Sequence, residues 1–304
     1  MATAKLDRKK ISFGVTPTLW WNDDFLDIDI GITFGQCVSE MALAGFEGCS
    51  VGHKFPTDVE ELKRELGLRG LRVSEPWTSL FFTREEMHDK TVAEFRKSLE
   101  FIKAMNGSAM VVAELGHSVH QRPVSILPNK PVFSDKQWDA LARGLNEIGK
   151  MASDAGIVLC YHHHMGTGVQ TRAEVDRLLA ATDAKHVHLL LDTAHILFAD
   201  GDPLSLAKDH AGRIRHLHLK NLRQPVKTRA LAEGLSFKEA IQEGIFTVPG
   251  DPDGCIDFRP IVQVFADVGY QGWIVVEAEQ DPAKATPLKY ARMAREHLRQ
   301  ITGL

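Results

Sequence analysis

Eight short apolar runs recur along the chain, and an amphipathic stretch follows each of them. The runs cover 12–17, 46–52, 71–76, 109–115, 157–164, 188–194, 214–221 and 272–279. The stretches between and after them cover 34–43, 57–66, 84–105, 134–155, 172–181, 204–210, 261–268 and 287–301. Short runs rich in aliphatic and β-branched residues read as strands, and longer ones with apolar positions three and four apart read as helices. Strands alternating with helices predict a parallel sheet with crossover helices, an α/β fold.

An open sheet that binds a dinucleotide carries a glycine-rich turn after its first strand. Here that turn is Thr18-Leu19-Trp20-Trp21-Asn22-Asp23-Asp24, which cradles no phosphate. Eight strand–helix units in 304 residues instead predict one (β/α)8 barrel domain over 1–304. No Ser/Gly linker or low-complexity segment divides it. The stretch 222–257 is long for a strand–helix connection and predicts a lid over the C-terminal face or a contact with a second copy of the chain, a homo-oligomer.

With 36 basic and 40 acidic residues, a net charge of -4 predicts no nucleic-acid partner. No run approaches the roughly 18 apolar residues of a membrane span, so no membrane partner is expected. Residues 1–10 lack the apolar core of a secretory signal, and Cys37, Cys49, Cys160 and Cys255 show no paired spacing, so the expected compartment is the cytoplasm.

Barrel enzymes of this kind place their chemistry at the C-terminal ends of the strands. Side chains alternate along a strand. His162 and His164 therefore share a face at the end of the fifth strand, with His163 on the other. On the sixth, Leu189 and Leu191 face the helices while His188, Leu190 and Asp192 face the axis, and His195 follows. The seventh puts His216, His218 and Lys220 in phase, and the eighth Glu277 and Glu279. Four consecutive strands thus end in His, Asp, His and Glu. Imidazole and carboxylate together suit a divalent cation such as Mn, Co, Fe or Zn. The ordinary alternative for one such residue is a hydrogen-bonded core histidine or, for Asp192, a helix cap. Four uncompensated polar ends in one barrel mouth are costly without a cation. The fourth strand ends in Glu114, the second in Ser50 and His53, and the third in Glu75 followed by Trp77. Trp20, Trp21 and Trp77 are candidates to line the mouth.

Several segments carry a resemblance. They are Trp20 to Asp24, 33–48, the Tyr161-His162-His163-His164-Met165-Gly166-Thr167-Gly168 run to 171, Leu191 to His195, Gly201 to Pro203, His216 to Lys220, 246–251 and 275–284. Together they run nearly end to end. The order of strand-end residues resembles the xylose-isomerase-like superfamily of divalent-metal barrels, and more closely the inosose dehydratase family of inositol catabolism. The histidine triplet and the segment Glu277-Ala278-Glu279-Gln280-Asp281 are the specific motifs. The chain departs from the family pattern at Ser50, around Glu75, and in 114–120. The substrate range read here is therefore a keto-cyclitol or a related keto-sugar.

The resemblance implies loss of water from 2-keto-myo-inositol. On that reading His162, Asp192, His218 and Glu277 hold the metal, with His164 the alternative to His162. His195, Lys220 and Glu279 are the catalytic candidates. His164, Glu114, Trp20, Asn22, Glu75 and Arg223 are the substrate-binding candidates. Mn or Co is the expected metal, with Zn, Fe and Mg as alternatives, and glutathione is a further cofactor by resemblance alone. The rival enzyme is an epimerase or isomerase of the same superfamily, whose fifth strand carries a carboxylate where this chain has His162. A sugar-binding barrel without catalysis and a subunit of a keto-glycoside-cleaving complex are the remaining alternatives.

Overall fold

Strands form in all eight apolar runs of the computed structural model, which describes residues 5–304. They are β1 (Ile11–Val15), β2 (Gly48–Cys49), β3 in two pieces (Arg72–Val73 and Trp77–Leu80), β4 (Ala109–Glu114), β5 (Val158–His162), β6 (Val187–Asp192), β7 (Ile214–Leu219) and β8 (Gly272–Val276). Every pairing among them is parallel. The first piece of β3 pairs with β2 and the second with β4. The sheet therefore closes on itself through the chain at 74–76, where Pro76 lacks an amide hydrogen for a ladder. This is the predicted (β/α)8 barrel, with one strand broken at the residues that carry Glu75.

Eight helices flank the barrel: Phe34–Ala44, Val59–Gly67, His88–Ala104, Asp135–Asp154, Arg172–Ala181, Pro203–His210, Phe258–Asp267 and Pro287–Thr302. Their starts follow local chemistry. Thr33, Asp58, Ser134, Thr171, Asp202 and Asp257 accept hydrogen bonds from first-turn amides, and Ser134 and Thr171 form full capping boxes with Gln137 and Glu174. The stretch 222–257 is structured. It holds helices Gln224–Glu233 and Phe237–Gln242 and a two-stranded antiparallel ladder of Asn221–Leu222 with Phe246–Thr247. Among the described residues no helix is long and apolar enough to cross a membrane.

The alternation of side chains sorts the strands into two compartments. Met110, Val112, Leu159, Tyr161, Leu189, Leu191, Leu217 and Leu219 join the large core between sheet and helices. Val111, Cys160 and Leu190 form a small separate cluster on the barrel axis. Leu190 lies inward and Leu189 and Leu191 outward, as expected. A bulge at Arg215 lets Leu190 pair with His216 although Leu189 pairs with Ile214. His216 and His218 thereby point to the axis while Ile214 stays in the outer core. Towards the N-terminal end Trp273 packs against Gly48, where an added Cβ would lie 2.6 Å from the Arg72 carbonyl oxygen and nearer still to the indole.

Gly48 is thus required by contact with backbone that cannot yield. Replacing it with valine is expected to destabilise the barrel by about 1–3 kcal/mol through overpacking, read as a lower midpoint of urea unfolding. An unchanged midpoint would mean that the closure is looser than described.

Candidate active site

A cleft of about 320 Å³ opens at the C-terminal ends of the strands. Asn22, Asp24, Glu75, Trp77, His120, His162, His164, His218, Glu277 and Glu279 line it. His162 and His164 reach it because they share a phase. His163, on the opposite face, instead accepts a hydrogen bond from the Asp192 amide through Nε2 (3.3 Å).

Lys220 lies behind the cleft floor and is fully buried. Its ammonium is 2.5 Å from Glu277 Oε2, 2.6 Å from Glu279 Oε2 and 3.4 Å from Asp192 Oδ2. It also lies 3.0 Å from His195 Nε2, and His195 and Asp192 are as fully enclosed as the lysine. Three carboxylates therefore share one protein cation.

Asp192 divides its two oxygens between fold and site. Oδ1 accepts from the amides of Ala194 and His195 and so caps the helix Thr193–Phe198. The apolar run predicted to continue to 194 ends at this cap. Oδ2 faces His162 Nε2 (3.4 Å) and Lys220. The cap reading of Asp192 holds, and its second oxygen is left facing His162 and Lys220.

Glu75 sits at the break in β3 and is buried. Its Oε1 lies 3.3 Å from His218 Nε2 and its Oε2 3.4 Å from His216 Nε2. At the rim, Asp24 accepts from Gln121 and lies 3.5 Å from His120 Nε2, and the His120 ring packs 5.2 Å from that of His164. The Asp24–His120 pair was not foreseen. Its members lie on loops almost a hundred positions apart and share no strand phase. Phe237, from the 222–257 excursion, packs against His164, His195 and Phe246, so that excursion walls one flank of the site.

The electrostatics follow from burial and these partners. Burial drives the His162 and His195 imidazoles well below their ordinary range and His164 to about 3, which keeps the rings neutral, with the His195 Nε2 lone pair turned to the Lys220 ammonium. Burial alone would raise Asp192, but His195 and Lys220 hold it well below the carboxylate range. Burial raises Glu279 in spite of Lys220. At Glu75 the desolvation cost is outweighed by His216 and His218, which bring the group to about 2.

Three predicted substrate contacts lie elsewhere. Glu114 points outward, because Val111 takes the inward phase of β4. Its oxygens accept from the Phe82 amide, the Thr83 hydroxyl and the Gly116 amide, and burial raises its carboxyl to about 7. Trp20 is buried in the outer core and donates to Glu40 through Nε1 (2.7 Å). Arg223 faces the base of the excursion, where it donates to the Gly244 carbonyl (2.6 Å) and pairs with Asp251 (2.5 Å). Each holds loop structure. Asn22, Glu75 and His164 do line the cleft. Asn22 Oδ1 is occupied by the amides of Asp24 and Phe25, leaving a buried Nδ2 without a partner.

The donor set fits a divalent cation. Ligand atoms from Asp192, His218 and Glu277 lie within 4.8 Å of one another, as do those of His162, Asp192 and His195. His162 Nδ1 and Nε2 and His218 Nδ1 are buried without a hydrogen-bond partner, and Asp192 Oδ2 and Glu277 Oε2 make no hydrogen bond beyond their ion pairs, with the Lys220 ammonium for both and with His162 and His195 for Asp192. Neutral imidazole and carboxylate in this number match Mn, Co, Fe or Zn, and no cysteine enters the set.

Glu114 separates a structural from a substrate-binding role. Glu114→Ala leaves two amides and a hydroxyl unsatisfied in the interior, and is expected to cost at least about 1–3 kcal/mol of stability. Turnover per folded molecule should stay close to wild type. A selective rise in KM at unchanged melting temperature would return Glu114 to the substrate site.

A family model for xylose isomerase-like TIM barrels matches residues 38–301. An inosose dehydratase of Geobacillus thermodenitrificans is 46% identical over 296 residues, covering 97% of this chain and 98% of that one. One from Clostridium beijerinckii is 44% identical over 299 residues, covering 98% and 99%. A solved structure of IOLI protein with a binding zinc atom has a TM-score of 0.71 at 14% identity, covering 96% of this chain and 98% of that one, a likeness of fold. The chain belongs to the xylose isomerase-like TIM-barrel family and, within it, to the inosose dehydratases, which are hydro-lyases.

Proposed function

We propose that this chain removes water from 2-keto-myo-inositol or a closely related keto-cyclitol, using a divalent cation held by His162, Asp192, His218 and Glu277. The observation that carries the reading is the convergence of Asp192, His218 and Glu277 donor atoms within 4.8 Å on the cleft floor, in a chain whose relatives are named for this reaction. Mn or Co suits this mixed nitrogen and oxygen set, and Zn or Fe is the next choice.

Such a cation supplies Lewis-acid polarisation of the substrate ketone. The residues supply the rest. Asn22 Nδ2 and His164, on the cleft wall, orient ring hydroxyls. Glu279 faces the cleft and takes the proton α to the ketone, breaking the C–H bond. The Lys220 ammonium, 2.6 Å behind it, stabilises that carboxylate. Having taken the α proton, Glu279 returns to its carboxylate form by delivering that same proton to the departing β-hydroxyl. That group leaves as water when the C–O bond breaks. His195, 3.0 Å from the ammonium, keeps Lys220 aimed at Glu279. The fifth strand contributes His162. An imidazole that ligates a cation has no lone pair left to take a proton, which disfavours two-sided proton exchange and favours elimination.

Protein reconstituted with Mn or Co is expected to convert 2-keto-myo-inositol with rising ultraviolet absorbance of an enolised dione, and chelation should abolish the signal. Glu277→Gln should lower kcat by two to three orders of magnitude, roughly the several kcal/mol that a cation contributes. In D2O, a recovered epimer carrying deuterium at the α carbon, with no loss of water, would replace the dehydratase with an epimerase. Full activity in metal-free protein would remove the cation from the account.

A further inference from the structure

Glu75 is a buried carboxylate with no lysine or arginine against it among the described residues; the groups its oxygens face are the rings of His216 and His218. A buried carboxylate needs hydrogen-bond donors. His218 can offer one only as the tautomer that carries its proton on Nε2, the nitrogen 3.3 Å from Glu75 Oε1. In that tautomer Nδ1 keeps a free lone pair. Nδ1 is the ring nitrogen that is buried without any partner, and His218 is the histidine grouped with Asp192 and Glu277.

We infer that Glu75 is a positioning residue: it locks His218 in the Nε2–H tautomer and so presents Nδ1 to the cation, while its second oxygen lies 3.4 Å from His216 Nε2 without a hydrogen bond. Carboxylates that accept from the far nitrogen of a ligating histidine fix its orientation and raise its basicity. The break of β3 at 74–76 serves this arrangement. A regular strand would carry Glu75 past the axis in the phase of Val73, which faces the outer core. The interruption turns the side chain inward onto two neighbours on β7. The inference rests on reading His218 as a ligand, but its tautomer arm below needs neither metal nor substrate.

Two measurements test it. Nitrogen-15 spectra of histidine-labelled, metal-free protein should show His218 protonated on Nε2 and bare on Nδ1. Competition of a fluorescent chelator for Mn or Co should show wild type binding one equivalent, and Glu75→Gln binding it about 10–100-fold more weakly. The metal-free melting temperature of the variant should stay near wild type, a pattern that a purely structural residue would reverse. A His218 protonated on Nδ1 overturns the inference even where the variant does not fold. So does unchanged metal affinity in Glu75→Gln. A second equivalent bound by wild type and lost in the variant would make Glu75 a ligand itself. Wild type that binds no metal, with His218 in the Nε2–H form, would fail the cation reading and the positioning role together, leaving a hydrogen bond alone.

Discussion

The ammonium of Lys220 is the charge around which the barrel mouth is built. It is fully buried, and Asp192, Glu277 and Glu279 all lie within 3.4 Å of it. A single positive charge cannot compensate three carboxylates in a water-poor interior, where uncompensated charge is expensive. The surrounding imidazoles do not make up the difference, because burial keeps His162, His164 and His195 neutral. What they offer is lone pairs. Surplus carboxylate and free imidazole lone pairs on one floor make a site that gains from a divalent cation.

The scaffold achieves this by a division of labour between neighbouring atoms. Asp192 gives one oxygen to the helix it caps and the other to the site. His163, turned away from the cleft, braces the Asp192 amide. Glu75 occupies the one place where a strand is interrupted, and the bulge at Arg215 sets the phase of the two histidines that it meets. The irregular points of the barrel are thus the points that aim polar groups, as expected where function is placed on a regular framework.

Much of this was legible from alternation alone. The period of two on β5, β6 and β7 placed His162, Asp192 and His218 on one face, because leucines on the opposite phase mark the outer core. The signal failed where both phases are apolar. On β4, Met110 to Ala113 offer no polar alternation, so nothing in the run itself showed that Glu114 points outward. It failed again in loops, which have no period: Trp20 and Arg223 were read as cleft residues but hold a helix and the base of the excursion. Asp24 and His120 meet only through the closed barrel. The third run, 71–76, ends at Pro76 and leaves out the second piece Trp77–Leu80, and that the break turns Glu75 onto His216 and His218 depends on a contact across the barrel that no local pattern encodes.

The claim on which the account turns is that the surplus of buried carboxylate and neutral imidazole at the strand ends exists to hold one cation. Anomalous diffraction from crystals grown with Mn or Co measures this directly. The account predicts a single peak at roughly 2.0–2.3 Å from atoms of His162, Asp192, His218 and Glu277, with Lys220 retained on Glu279. Well-ordered crystals with no peak there, and all three carboxylates still gathered on the Lys220 ammonium, would contradict it.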